Sequence, residues 1–149
     1  MIGIAALAIL LVAPRGAFAF DQQDLQRLQQ SDACEGCDLS DVEWPGWRLT
    51  SLDLVGSNLS GADLRAAVLT DVALDNARLN NADLTGAIVR QTSMRGADLS
   101  YVALSGTVFI ASDLTGAAGL SQLQLDQACD DTREGSTQLT YPLALPACQ

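Results

Sequence analysis

A five-residue period runs through the middle of the chain and limits what it can fold into. Starting at Leu39, every fifth residue through Leu114 is large and apolar: sixteen in succession, among them Trp44, Leu64, Leu84, Met94 and Phe109. The residue two before each is, after the first turn, small or β-branched and never charged, as at Ser57, Ala62, Ala67, Val72 and Ala77. A helix repeats every 3.6 residues and a strand every 2, so neither generates a strict five. A fixed short period over most of a chain marks a solenoid, in which each unit buries its apolar face only by stacking on its neighbours.

Three units, Ala62-Asp63-Leu64, Ala82-Asp83-Leu84 and Ala97-Asp98-Leu99, carry a fuller signature. They resemble the pentapeptide-repeat family, whose unit is approximately A-(D/N)-L-x-x, and the resemblance covers residues 37–117. It implies an all-β fold, a right-handed quadrilateral parallel β-helix of about four coils. Four repeats would make one square coil of 20 residues, one repeat per side, with the Leu and the small residue both inward. Sterics agree, because a narrow square tube accepts one large side chain per side only if its inward neighbour is small. Coils would be separated by the strand spacing of roughly 4.8 Å.

The ends of such a tube need covers, since bare strand edges invite association. Trp44-Pro45-Gly46-Trp47 breaks the pattern at the start, and proline belongs at an edge. Asp21 followed by Leu25 and Leu28 predicts a short helix below it. Beyond residue 117, Ser121 and Gln124 form a capping box and Leu120 and Leu125 a hydrophobic staple, predicting a helix over 122–129. The remaining tail, with Pro142 and Pro146, is expected to be irregular. Ahead of the solenoid, the uncharged apolar run of residues 2–12, Pro14 and the triplet Ala17-Phe18-Ala19 have the shape of an export signal cleaved after Ala19. The run is shorter than the ~18 residues a spanning helix requires, so no stable membrane insertion is expected, a retained N-terminal anchor being the alternative. The organisation is therefore 1–19 signal, 20–36 N-terminal cap, 37–117 solenoid and 118–149 C-terminal cap with tail, in a periplasmic or secreted protein.

Four cysteines behind an export signal suggest disulfides. On the implied tube Cys34 and Cys37 lie at one end and Cys129 and Cys148 at the other. A disulfide needs Cα atoms within ~7 Å, which pairs Cys34 with Cys37 and Cys129 with Cys148. The alternatives for Cys34-x-x-Cys37 are a redox dithiol or a metal site. Asp32, Glu35 and Asp38 surround it, and negative charge raises a thiol pKa where a reactive thiolate needs it lowered.

Composition narrows the chemistry further. All 8 basic residues are Arg, with no Lys and no His. This excludes His-based acid–base catalysis, Ser-His and Cys-His nucleophiles, lysine Schiff bases and His-ligated metals. A formal charge of −10 opposes binding to a nucleic-acid backbone. No catalytic residues, cofactor or metal site are expected. Unrolling the coils by 20 puts Val68, Ile88 and Val108 in one column of the third wall, with Ile110 beside them, as a partner-docking strip; the competing reading is β-branched stacking alone. Glu43, Asp63 and Asp83 stack on the second wall, where Arg65 is the nearest compensating charge. A Ca²⁺ site there is the lesser reading, because the carboxylates stand in line rather than converging. The leading expectation is an exported, non-catalytic binding or structural module with a protein partner, homodimerisation staying open. The family resemblance implies an alternative, an acidic DNA-mimic rod acting on DNA gyrase. A CxxC thiol–disulfide oxidoreductase is the third.

Overall fold

A computed structural model describes residues 20–140 and 142–149. The expected export signal and its cleavage point lie outside the described residues. Within the solenoid each repeat is a short extended side followed by a corner. At most corners the N–H three residues after the large inward residue donates back to its carbonyl, as from Ala62 to Leu59 (3.1 Å) and Ala82 to Leu79 (2.9 Å). The third residue of these turns has positive φ, at Gly61 (71°) and Asn81 (61°), which is the type II geometry. The Asp of the repeat fixes the approach. Its carboxylate accepts from the backbone N–H two residues on, at Asp83 from Thr85 (2.9 Å), Asp98 from Ser100 (3.0 Å) and Asp113 from Thr115 (2.9 Å).

On the third wall the extended stretch lengthens into named strands. These are β1 (Arg48–Thr50), β2 (Val68–Thr70), β3 (Ile88–Arg90), β4 (Val108–Ile110) and β5 (Cys129–Asp130). They stack in that order as one parallel sheet. Leu49 pairs with Leu69, Leu69 with Val89 and Val89 with Phe109, each step being 20 residues. Single bridges repeat the step on the other walls, as in Asp38 to Asn58, Glu43 to Asp63 and Asp53 to Ala73. The chain is thus a right-handed four-sided β-helix. Its core is the inward column set: Leu64, Leu84 and Leu104 are buried, as are Ala62, Ala82 and Val102 beside them. Thr92, in a small slot, donates its hydroxyl to Arg90 O of its own coil, whereas three other small-slot hydroxyls donate to a carbonyl of the coil beneath. Ser57 bonds Cys34 O (2.7 Å), Thr107 bonds Leu84 O (2.8 Å) and Ser112 bonds Val89 O (3.0 Å). No buried side-chain N or O among the described residues lacks a partner.

The ladder is longer than the expected 37–117 at both ends. Ala33 bridges Asp53, and buried Cys34 takes the inward position five before Leu39. At the top, Ala118 stays in step over Asp98, but Val108 pairs with Cys129 and Asp113 with Gln138. Inserted residues break the sequence phase there while the backbone pairing continues. The tail is consequently less irregular than expected: it supplies β5, a short 3-10 turn at Thr132–Glu134 and a bridge from Ala147 to Asp130.

Both covers are helical. Helix α1 (Gln22–Ser31) is N-capped by Asp21 and buries Leu25 and Leu28 against the first coil. The indoles of Trp44 and Trp47 stack with centroids 5.8 Å apart; Trp44 is buried and Trp47 half-buried. Helix α2 (Gln122–Leu125) has both bonds of the Ser121–Gln124 capping box and buries Leu125. It ends four residues earlier than expected, because Cys129 and Asp130 join the ladder as β5 instead of continuing the helix.

Candidate functional site

The third wall presents the apolar column. Val68, Ile88 and Val108 are directly paired in register, and Ile88 is the most open at 37% exposure, between half-buried valines. Ile110 corrects the four-residue strip: it is only 5% exposed. The 3-10 turn packs against β4, and Arg90 of β3 holds it with a 3.2 Å ion pair to Glu134. Sequence phase could not reveal this, since the turn belongs to the out-of-phase tail. The column ends upward at Cys129.

The second wall is acidic but internally compensated. Arg65 pairs with Asp63 at 2.6 Å and reaches Asp83 at 3.9 Å. That guanidinium hydrogen bond holds the Asp63 carboxyl below the usual range. Asp63 and Asp83 also accept from the N–H groups of Arg65 and Thr85, so their oxygens serve corners rather than converge on a cation. On the fourth wall, Asp75 lies one coil step from Arg95 without pairing with its guanidinium. Asp75 accepts from the Arg95 backbone N–H (2.9 Å) and the Ser93 hydroxyl, while the guanidinium lies 3.7 Å from Asp113. Asp75, Asn76, Arg95, Gly96, Thr115 and Gly116 line a shallow open groove there.

The cystines pair as Cys34–Cys37 (Cα–Cα 5.4 Å) and Cys129–Cys148 (5.0 Å). Cys34 and Cys37 occupy successive inward slots across one corner, the positions that Leu39 and Val42 take at the next. The C-x-x-C spacing is therefore the spacing of the repeat itself. Both sulfurs are fully buried under α1, and Arg27 Nη1 lies 3.5 Å from Cys37 Sγ. Sequence neighbours gave only acids around this pair; the helix brings a cation to it. Burial still closes it to an attacking thiolate, which must reach a sulfur. Among the described residues, Asp24, Cys34 and Cys37 are the group of acidic and thiol side chains at metal-ligand spacing, and two of the three are joined in the disulfide.

A four-sided, Leu-filled coil with a corner every five residues, several of them fixed by an Asp or Asn side chain, defines a pentapeptide-repeat solenoid. The profile for pentapeptide repeats matches in eight copies, in overlapping stretches from residue 34 to 129, and the chain belongs to this family. It is similar in structure to alr5209, a pentapeptide repeat protein from Nostoc PCC 7120, with 24% identity and a TM-score of 0.50, over 79% of this chain and 93% of that one. It is also similar to a pentapeptide repeat protein from the cyanobacterium Cyanothece 51142, with 20% identity and a TM-score of 0.42, over 83% and 97% of the two chains. QnrB1, a plasmid-mediated fluoroquinolone resistance protein, is similar at 16% identity and a TM-score of 0.41, over 72% and 61%. No curated protein matches the chain.

Proposed function

We propose that this protein is an exported, non-catalytic binding module that holds a protein partner against its third wall. The observation that carries the reading is the in-register column of Val68, Ile88 and Val108 on a continuous strand face, with Ile88 open to solvent. The second wall, by contrast, is lined by carboxylates tied to Arg65 and to their own corners. Two cystines suit an oxidising compartment, as the leading apolar segment does. The chain's charge of −10 favours a partner whose apolar strip is rimmed by Arg and Lys.

A photo-crosslinking residue in place of Ile88, introduced in the native host, tests the reading. The expected result is a crosslinked partner of another sequence, lost when Val68 and Val108 are changed to Thr with the fold intact. Crosslinking only to second copies, or a partner yield unaffected by those changes, contradicts it.

A further inference from the structure

The two disulfides constrain the chain differently. Cys34 and Cys37 are three residues apart on successive inward slots of one coil, fully buried, so their bond joins residues that the repeat already holds together. Cys129 and Cys148 are 19 apart and half-buried. Cys129 lies in β5, the last strand of the ladder, and Cys148 in a strap, residues 142–149, that runs over it. Up to Thr140 the tail is tied directly to the fourth coil. Gln138 N–H donates to Ser112 O (2.8 Å), Leu114 N–H to Gln138 O (2.8 Å) and Gly116 N–H to the Thr140 hydroxyl (2.7 Å). The strap has fewer ties. A turn bond from Leu143 N–H to Thr140 O (3.1 Å) begins it, and the Gln122 side chain exchanges two bonds with the Ala144 backbone (2.8 and 3.1 Å). Asp130 N–H donates to Pro146 O (2.8 Å) and Cys148 N–H to Asp130 O (3.3 Å). Leu143 and Leu145 are half-buried against the core.

What lies under the strap suits exposure to water. The inward column of the third wall runs Leu49, Leu69, Val89, Phe109 and then Asp130. The Asp130 carboxylate accepts from the N–H of Thr137, a residue outside the strap, at both oxygens (3.2 Å each). Lifting the strap therefore bares a carboxylate that keeps its partner and gains water, where an apolar residue in that slot would resist opening. We infer that Cys129–Cys148 is a redox-operated latch. Closed, it holds the strap over β5; opened by a dithiol reductant, it releases residues 142–149 and bares the upper edge of β5, leaving the coils below unchanged. In the opening step a thiolate of the reductant attacks one sulfur, the S–S bond breaks, and the other cysteine leaves as a thiolate. The reductant's second thiolate then displaces the first cysteine from the mixed disulfide. The reductant departs as its own disulfide, oxidised by two electrons, and its two thiol protons end on Cys129 and Cys148. Without the cross-link the strap must close its loop through the few contacts above, against the entropy that the bond had removed. The latch does not rest on the third-wall reading of the proposed function.

The test is amide hydrogen exchange on the full chain in three forms: oxidised, reduced by a timed exposure to dithiothreitol, and as the C129S/C148S variant. Thiol labelling of the reduced form is expected to find Cys129 and Cys148 open and Cys34 and Cys37 still joined. Exchange of the Asp130 amide, which donates to the strap, is expected to quicken by about tenfold or more in both altered forms. The amides of Leu84 and Met94, bonded between coils, are expected to keep their rates, and reoxidation to restore that of Asp130. The inference is overturned if the Asp130 amide is already fast in the oxidised protein, or stays as slow in C129S/C148S as in the parent. It is equally overturned if Leu84 and Met94 quicken together with Asp130, which would mean that reduction unwinds the coils. Reduction of Cys34–Cys37 ahead of Cys129–Cys148, or a rate that reoxidation does not restore, also overturns it.

Discussion

Every fifth residue from Gly36 to Gly116 has a positive φ, whether or not it is glycine. The second-to-third-wall corner holds both cases in one column, exposed Ala66 (φ 55°) below Gly86 (φ 68°). A Cβ at residue 86 meets nothing within 4 Å, so its cost is conformational alone. An L-residue pays roughly 1–2 kcal/mol in this region, partly offset by glycine's greater unfolded-state freedom. Ala66→Gly should therefore stabilise the protein, and Gly86→Ala destabilise it, each by about 0.5–1 kcal/mol in urea unfolding. Carboxylates act at the same scale. Asp131 is held at about 2 by its hydrogen bonds from Arg133, and Asp38, Asp63, Asp98 and Asp113 also lie below the ordinary 3.8. A lowered native value means that the stabilisation is complete above the unfolded value and is lost as pH falls through the native one. With no His in the chain and all four cysteines paired, the melting temperature should be flat from about pH 5 to 8. It should then fall between about pH 4 and 2; a step near pH 6.5 contradicts this.

Among the elements, α1 docks by burying Leu25 and Leu28 and by bonds between Asp38 and both Asp21 and Asp24, and it shields the whole Cys34–Cys37 pair. Leu28→Ala empties a fully buried site and should cost about 2–4 kcal/mol where the cap docks. Thiol labelling after a timed exposure to a dithiol reads out the consequence. In the parent protein half-buried Cys129–Cys148 should be reduced well before Cys34–Cys37, and Leu28→Ala should bring the two rates together. Equal rates in the parent would show that α1 does not guard the bond. The elements also mark how far the sequence could be read. In-phase parts were legible, because an inward slot every five residues fixes wall, column and register without other knowledge. Asp21 and Ser121 announced their helices through cap chemistry that is local in sequence. What was not legible is non-local: inserted residues carry Cys129 and Gln138 out of phase, so β5, the turn over Ile110 and the strand at residues 146–148 had no periodic signal. For the same reason Ile110 reads as exposed in the repeat and is buried in the fold, and the Arg27 contact with Cys37 depends on where α1 docks.

For the whole molecule, the 20-residue step decides everything placed on it, from the apolar column of the third wall to the covers at the two ends. Stacking energy in such an array accrues coil by coil, and the ends are special only because they carry covers. A whole coil should therefore be removable while a fraction of one is not. Deleting residues 74–93 joins Ala73 to Met94 on the same wall and keeps α1, α2 and both cystines over their own sides. Deleting residues 74–88 joins Ala73 to Val89, turns everything above by one wall and sets the upper cover on the wrong sides. Urea unfolding of the two deletion proteins, followed by circular dichroism, tests this most directly. A single cooperative transition for the 20-residue deletion and none for the 15-residue deletion is the predicted result; equal behaviour of the two would contradict a four-sided winding.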